Sequence, residues 1–96
     1  MTKQNTKQFS VELVIPNKLG LHARAAAILR ECAQKFKSDI KIVKDHMEAN
    51  AKSLLGLIAL GAAQGSTIKI TTEGVDAKEA VKSLRELVEN GFGEEE

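Results

Sequence analysis

The apolar positions of this chain change period from segment to segment. Phe9, Val11, Leu13 and Ile15 alternate with Ser10 and Glu12, the repeat of a strand with one face in water. Pro16-Asn17-Lys18-Leu19-Gly20 interrupts it. Ala25, Ile28, Leu29, Cys32, Ala33 and Phe36 then follow the i, i+3, i+4, i+7 pattern of one helical stripe, with Arg30, Glu31, Gln34 and Lys35 facing water. Alternation returns over 39–44 with Ile40 and Ile42, and again where Met47, Ala49 and Ala51 alternate with Glu48, Asn50 and Lys52. Asp45-His46 between them is a tight connection in which aspartate tolerates the positive φ that Asn or Gly takes more readily.

Ser53 precedes a short helix over 54–60 that stops at Gly61, a natural C′ residue. Ile68 and Ile70 mark a fourth strand over 66–72. Asp76, with Glu79 three residues on, reads as a capping box, and Val75 as a hydrophobic staple to Ala80. Ala77, Ala80, Val81, Leu84, Leu87 and Val88 form the stripe of the last helix, which Asn90-Gly91 ends. The order is β-α-β-β-α-β-α. Strands wet on one face and helices apolar on one stripe pack most economically as an α+β open-faced β-sandwich, a four-stranded antiparallel sheet with three helices on one face. One domain over 1–96 is expected, with flexible tails at 1–8 and 93–96.

Composition narrows the function classes. The net charge of +1 supplies no field toward nucleic acid or anionic membrane. Three Phe, with no Trp or Tyr, are too few and scattered for a base-stacking platform. Cys32 has no second cysteine to pair with and lies on an apolar stripe, which reads as a core thiol in a reducing compartment. The start of the chain lacks the apolar run of a signal peptide, and 54–60 is too short to span a bilayer. A cytoplasmic protein follows by elimination.

The chemistry gathers at Asn17-Lys18-Leu19-Gly20-Leu21-His22-Ala23-Arg24. His22 lies before the apolar stripe of the first helix, so core packing does not account for it. It stands where that helix starts, and the unpaired N–H groups of Ala23, Arg24 and Ala25 make that end an anion site. Arg24 adds a guanidinium fork matched to phosphate oxygens. An imidazole nitrogen can attack phosphorus near neutral pH, and the N–P bond it forms is labile. A phosphoryl shuttle is the expected activity, a carrier and not a turnover enzyme by itself, without cofactor. Metal binding is the competing reading. However, His22, His46 and Cys32 stand in three different elements, with no ligand spacing among them.

Ser53 in its plainest reading is an N-cap. The helix it opens is apolar all round: Leu57 and Leu60 can reach the core, which turns Leu54, Leu55 and Ile58 toward solvent. Clustered exposed leucines mark a contact surface. Phosphorylation of Ser53 would place about two negative charges beside that patch, a means of controlling docking. An alternative follows: a regulatory protein-binding module acting through Ser53 and the leucines, with His22 incidental. A small-ligand sandwich would need a pocket, and the alanine-rich first helix argues for close packing instead.

Leu19-Gly20-Leu21-His22-Ala23-Arg24 and Ala51-Lys52-Ser53-Leu54-Leu55-Gly56, in this order and on this pattern of elements, resemble the histidine-containing phosphocarrier (HPr) family of the bacterial phosphotransferase system. The resemblance runs from about Phe9 to Phe92. It implies that His22 accepts phosphate on Nδ1 from Enzyme I and yields it to an Enzyme IIA. It implies that Arg24 and the backbone of Ala23 and Arg24 hold the phosphate. Ser53 resembles the regulatory serine, in some bacteria the target of a dedicated kinase (HPr kinase/phosphorylase), and Leu54, Leu55, Ile58 and Ala27 fall on the partner-docking face. A monomer is expected, since a carrier presents one face to several partners in turn. The chain departs from the family's pattern at Ala25, often proline, and at Glu31 and Gln34, lysines in some sugar-system members. Its ending Asn90-Gly91-Phe92-Gly93-Glu94 resembles the nitrogen-related (NPr) branch.

Overall fold

The computed structural model describes residues 7–94. Its elements are β1 (Lys7–Val14), α1 (Ala23–Ala33), β2 (Asp39–Lys44), β3 (Met47–Asn50), α2 (Leu54–Ala59), β4 (Thr67–Gly74) and α3 (Ala77–Glu89), then a 3₁₀ turn, Gly91–Gly93. The four strands form one antiparallel sheet in the order β1-β4-β2-β3. Alternation decides which face is dry. Leu13, Ile40, Ile42, Ala49, Ile68 and Ile70 turn inward to Leu29, Leu57, Leu84 and Val88 of the three helices. Ser10, Glu12, Lys41, Lys69 and Glu73 stay in solvent.

The expected element order and layering hold, with local corrections. The stripe of α1 is narrower than expected: Ala25, Ala26, Leu29 and Ala33 are buried, whereas Ile28 and Cys32 are half-buried. Ala26 was outside the expected stripe. Arg30, expected in water, is half-buried. The helix also stops before Phe36, because Lys35 N–H and Phe36 N–H donate in tight turns to Cys32 and Ala33. The ammonium of Lys52 takes the freed Phe36 carbonyl at 2.8 Å.

The expected capping box is absent. Asp76 makes no side-chain cap bond to α3. Its carboxylate instead accepts from the N–H groups of Lys37 and Ser38, each at 2.9 Å, and from the Ser38 hydroxyl at 2.5 Å. Val75 is 82% exposed and staples nothing. Asp45 does adopt the positive φ (55°) that the β2–β3 turn requires.

Part of each expected tail belongs to the folded body. Lys7 and Gln8 belong to β1, Gly93 ends the 3₁₀ turn and Glu94 follows it; 1–6 and 95–96 lie outside the described residues. Phe92 sits at φ 58° between two glycines of positive φ and is 3% exposed. A bulky residue in the left-handed region is uncommon, and here burial of the ring compensates. No helix among the described residues is long and apolar enough to cross a membrane.

Candidate functional site

The loop before α1 is shaped by Asn17 and Gly20. The Gly20 N–H donates to the Asn17 carbonyl at 3.1 Å, and Asn17 Nδ2 donates to the Gly20 carbonyl at 2.8 Å. Gly20 has φ +66°, and a Cβ there would stand 2.5 Å from the Ala62 carbonyl oxygen. Glycine therefore permits both the turn and its close approach to the segment after α2, where Leu21 N–H donates to the same Ala62 carbonyl at 2.8 Å. Leu21 is buried, and the chain leaves the core at His22.

His22 is the N-cap of α1. Its backbone carbonyl accepts from Ala26 N–H at 2.8 Å, and its Nδ1 accepts from Arg24 N–H at 3.3 Å. The ring is a quarter exposed (25%). Of the three amides expected to point freely out of this helix end, that of Arg24 is thus engaged by the imidazole itself. The Arg24 side chain is exposed and lines a shallow cleft with Lys18, Leu19, Ile28, Phe92 and Glu94. Among the described residues its guanidinium makes no hydrogen bond or ion pair.

The sequence reading passed over two members of this site. The Glu94 carboxylate contacts Nε2 of His22 through Oε2 and accepts from Asn17 Nδ2 through Oε1 at 2.9 Å. It is held below the usual carboxyl range, first by the Asn17 amide, then by the His22 hydrogen bond, with the charges of His22 and Arg24 adding. Asn17 is 2% exposed, and its Oδ1 is buried without a hydrogen-bond partner. The signal for Asn17 was a side chain able to close a turn before a glycine. The signal for Glu94 was the Gly-Phe-Gly run, whose single aromatic had to be buried somewhere.

None of the remaining expected side chains hydrogen-bonds the imidazole. Ser53 caps α2, its Oγ accepting from Gly56 N–H at 3.1 Å. The His22 loop meets the chain beyond the other end of that helix, at Ala62. Leu55 (79% exposed) and Ile58 (37%) face solvent as expected. Leu54, expected with them, is half-buried against the core, and Ala27 is half-buried on α1. Burial pushes the Cys32 thiol up, against the pull of Lys35, which works against the thiolate that a nucleophile or metal ligand needs. Among the described residues no group of three or more His, Cys, Asp or Glu side chains gathers as a metal site.

A sequence model of the PTS HPr component phosphorylation site matches residues 9–90. The phosphocarrier protein HPr of Neisseria meningitidis serogroup B is 42% identical over 87 residues, which cover 91% of this chain and 96% of that protein. The phosphocarrier protein HPr of Cupriavidus necator is 44% identical over 85 residues, 88% of this chain and 96% of the relative. Among solved structures, HPr-C-His from Thermoanaerobacter tengcongensis is similar at a TM-score of 0.88 and 46% identity, over 92% of this chain and 99% of that one. HPr from Bacillus anthracis is similar at 0.81 and 42% identity, over 84% and 96%.

Proposed function

The chain belongs to the HPr family, the phosphocarriers of the phosphotransferase system, and we propose that it carries its phosphoryl group on Nδ1 of His22, taken from Enzyme I and passed to an Enzyme IIA. The observation that carries this reading is the Arg24 N–H aimed at Nδ1. A nitrogen that accepts a hydrogen bond holds its lone pair there, and this lone pair points into the positive end of α1. When Nδ1 binds phosphorus, the Arg24 N–H loses its acceptor and gains phosphoryl oxygens in the same place. The first-turn N–H of Ala23 and the Arg24 guanidinium supply further donors, the latter in a fork suited to phosphate.

Ala25, at a position where many family members have proline, leaves the first turn intact: it is fully buried, and α1 starts at Ala23. Leu55 and Ile58 on α2, with Ala27 on the packed helix α1, offer an apolar surface for donor and acceptor. Ser53 is the proposed regulatory site for a dedicated kinase. Its hydroxyl is exposed at the end of α2 that carries Leu54 and Leu55, so an added phosphate would charge the docking surface without refolding it.

Incubation with radiolabelled phosphoenolpyruvate and Enzyme I tests the reading. Wild-type protein should acquire phosphate that is acid-labile and base-stable, and His22→Ala should acquire none. Label retained by His22→Ala at the wild-type rate would assign the phosphoryl group elsewhere. Phosphate of the opposite stability would favour the regulatory module acting through Ser53.

A further inference from the structure

We infer that Asn17 and Glu94 form a positioning pair that commits the His22 ring to reaction through Nδ1 and helps it discharge. The inference rests on Nδ1 of His22 being the phosphoryl carrier. A neutral imidazole carries its proton on one nitrogen and its lone pair on the other. Here the two nitrogens face opposite partners. Nδ1 faces the Arg24 N–H, which can only donate. Nε2 faces the Glu94 carboxylate, which when ionised can only accept. Both contacts select the same tautomer: the proton on Nε2 and the lone pair on Nδ1.

Glu94 is itself held. One oxygen takes the Nε2 proton, and the other takes a hydrogen of the Asn17 amide, whose second hydrogen goes to the Gly20 carbonyl. Asn17 thus spends both donors on fixing the carboxylate to the loop that carries His22, while its own Oδ1 is left buried and unpaired. An unpaired buried acceptor is costly in a native fold, and orientation of the carboxylate is the return that the structure displays. The 3₁₀ turn delivers Glu94 to this place, with buried Phe92 as its anchor.

The pair acts in both half-reactions. On loading, the Nδ1 lone pair forms the N–P bond as the donor's bond to phosphorus breaks, and that electron pair leaves with the donor. The ring keeps its Nε2 proton and gains positive character, which the carboxylate opposite the phosphoryl group stabilises. On discharge, the N–P electron pair returns to Nδ1, and a ring still protonated at Nε2 leaves as neutral imidazole. Without the carboxylate, nothing opposite the phosphoryl group holds the proton on Nε2 or stabilises the ring's positive character.

Glu94→Gln tests this with two readouts that a purely structural role would not move. In protein labelled with ¹⁵N-histidine, the wild-type Nε2–H proton should appear far downfield and exchange slowly; in Glu94→Gln it should move upfield and exchange faster. Transfer of phosphate from the phosphorylated protein to an Enzyme IIA should slow about threefold, the size expected for a partly exposed charge pair. A chain ending at Gly93 should reproduce both changes, and circular dichroism checks that each variant is folded. An unchanged Nε2–H resonance together with an unchanged transfer rate would overturn the inference. The His22→Ala labelling reports separately on the carrier reading, so the inference can fall while that reading stands.

Discussion

A ring nitrogen that caps a helix and a ring nitrogen that attacks phosphorus use the same lone pair. At 3.3 Å the cap bond from Arg24 N–H to His22 Nδ1 is long, so the proposed exchange of that bond for one to phosphorus costs the helix little. Ser53 makes the same kind of cap with a hydroxyl, and this role can be separated from the regulatory one proposed for it. Ser53→Ala should lower the urea unfolding free energy by about 1 kcal/mol, because Gly56 N–H loses its acceptor. Ser53→Asp keeps an N-cap acceptor and should hold stability near wild type, while weakening binding to Enzyme I by placing a charge beside Leu55. Equal affinity in titration calorimetry would remove Ser53 from the control of docking. His22, Arg24 and Ser53 were legible in the sequence because a cap and its helix are neighbours along the chain. Glu94 was not: its contacts with His22 and Asn17 span 72 and 77 residues.

Among the elements, the α1–β2 connection shows how a local motif can be outcompeted. Asp76 and Glu79 have the spacing of a capping box, yet the Asp76 carboxylate takes Lys37 and Ser38 instead. The connection enters β2 with backbone donors that would otherwise be unpaired near the core, and three hydrogen bonds to one carboxylate outweigh one cap bond. Asp76→Ala should therefore destabilise the fold by about 2 kcal/mol. The carboxyl is held below its ordinary value of 3.8, first by the Ser38 hydroxyl and then by the Lys37 N–H. Its stabilisation is thus complete above that ordinary value and is lost as pH falls through the lower folded value. The difference in urea midpoint between wild type and Asp76→Asn should shrink over that acid window. A constant difference down to the lowest pH would show that the carboxylate's charge is not what holds the connection.

At the scale of the whole molecule, the sheet order sets what the surface can present. β4, late in the chain, lies between β1 and β2. That insertion brings the end of the chain, through α3 and the 3₁₀ turn, back to the loop after β1. Helix α1, which starts from that loop, carries Glu31 in its last turn and Gln34 just beyond it, both exposed, where some sugar-system family members have lysine. A less basic rim, with an ending that resembles the nitrogen-related branch, leads us to expect faster phosphorylation by a nitrogen-type Enzyme I than by a sugar-type one. Initial rates with the two purified donors check this, and a preference for the sugar-type donor would reverse the assignment.

From the residues alone came the strands, the helices, the dry face of the sheet, the Ser53 cap and the imidazole beside its arginine. These depend on periodicities and hydrogen bonds that act within a few positions of the chain, and distant contacts do not alter them. Tertiary structure decided which strands lie at the centre of the sheet, where the Asp76 carboxylate is spent, how deep Leu54 sits, and that the chain's last described residue closes on the loop that carries His22. Each of those depends on surfaces far apart in sequence meeting when the core closes, and a linear pattern carries no record of which distant partner a side chain will find.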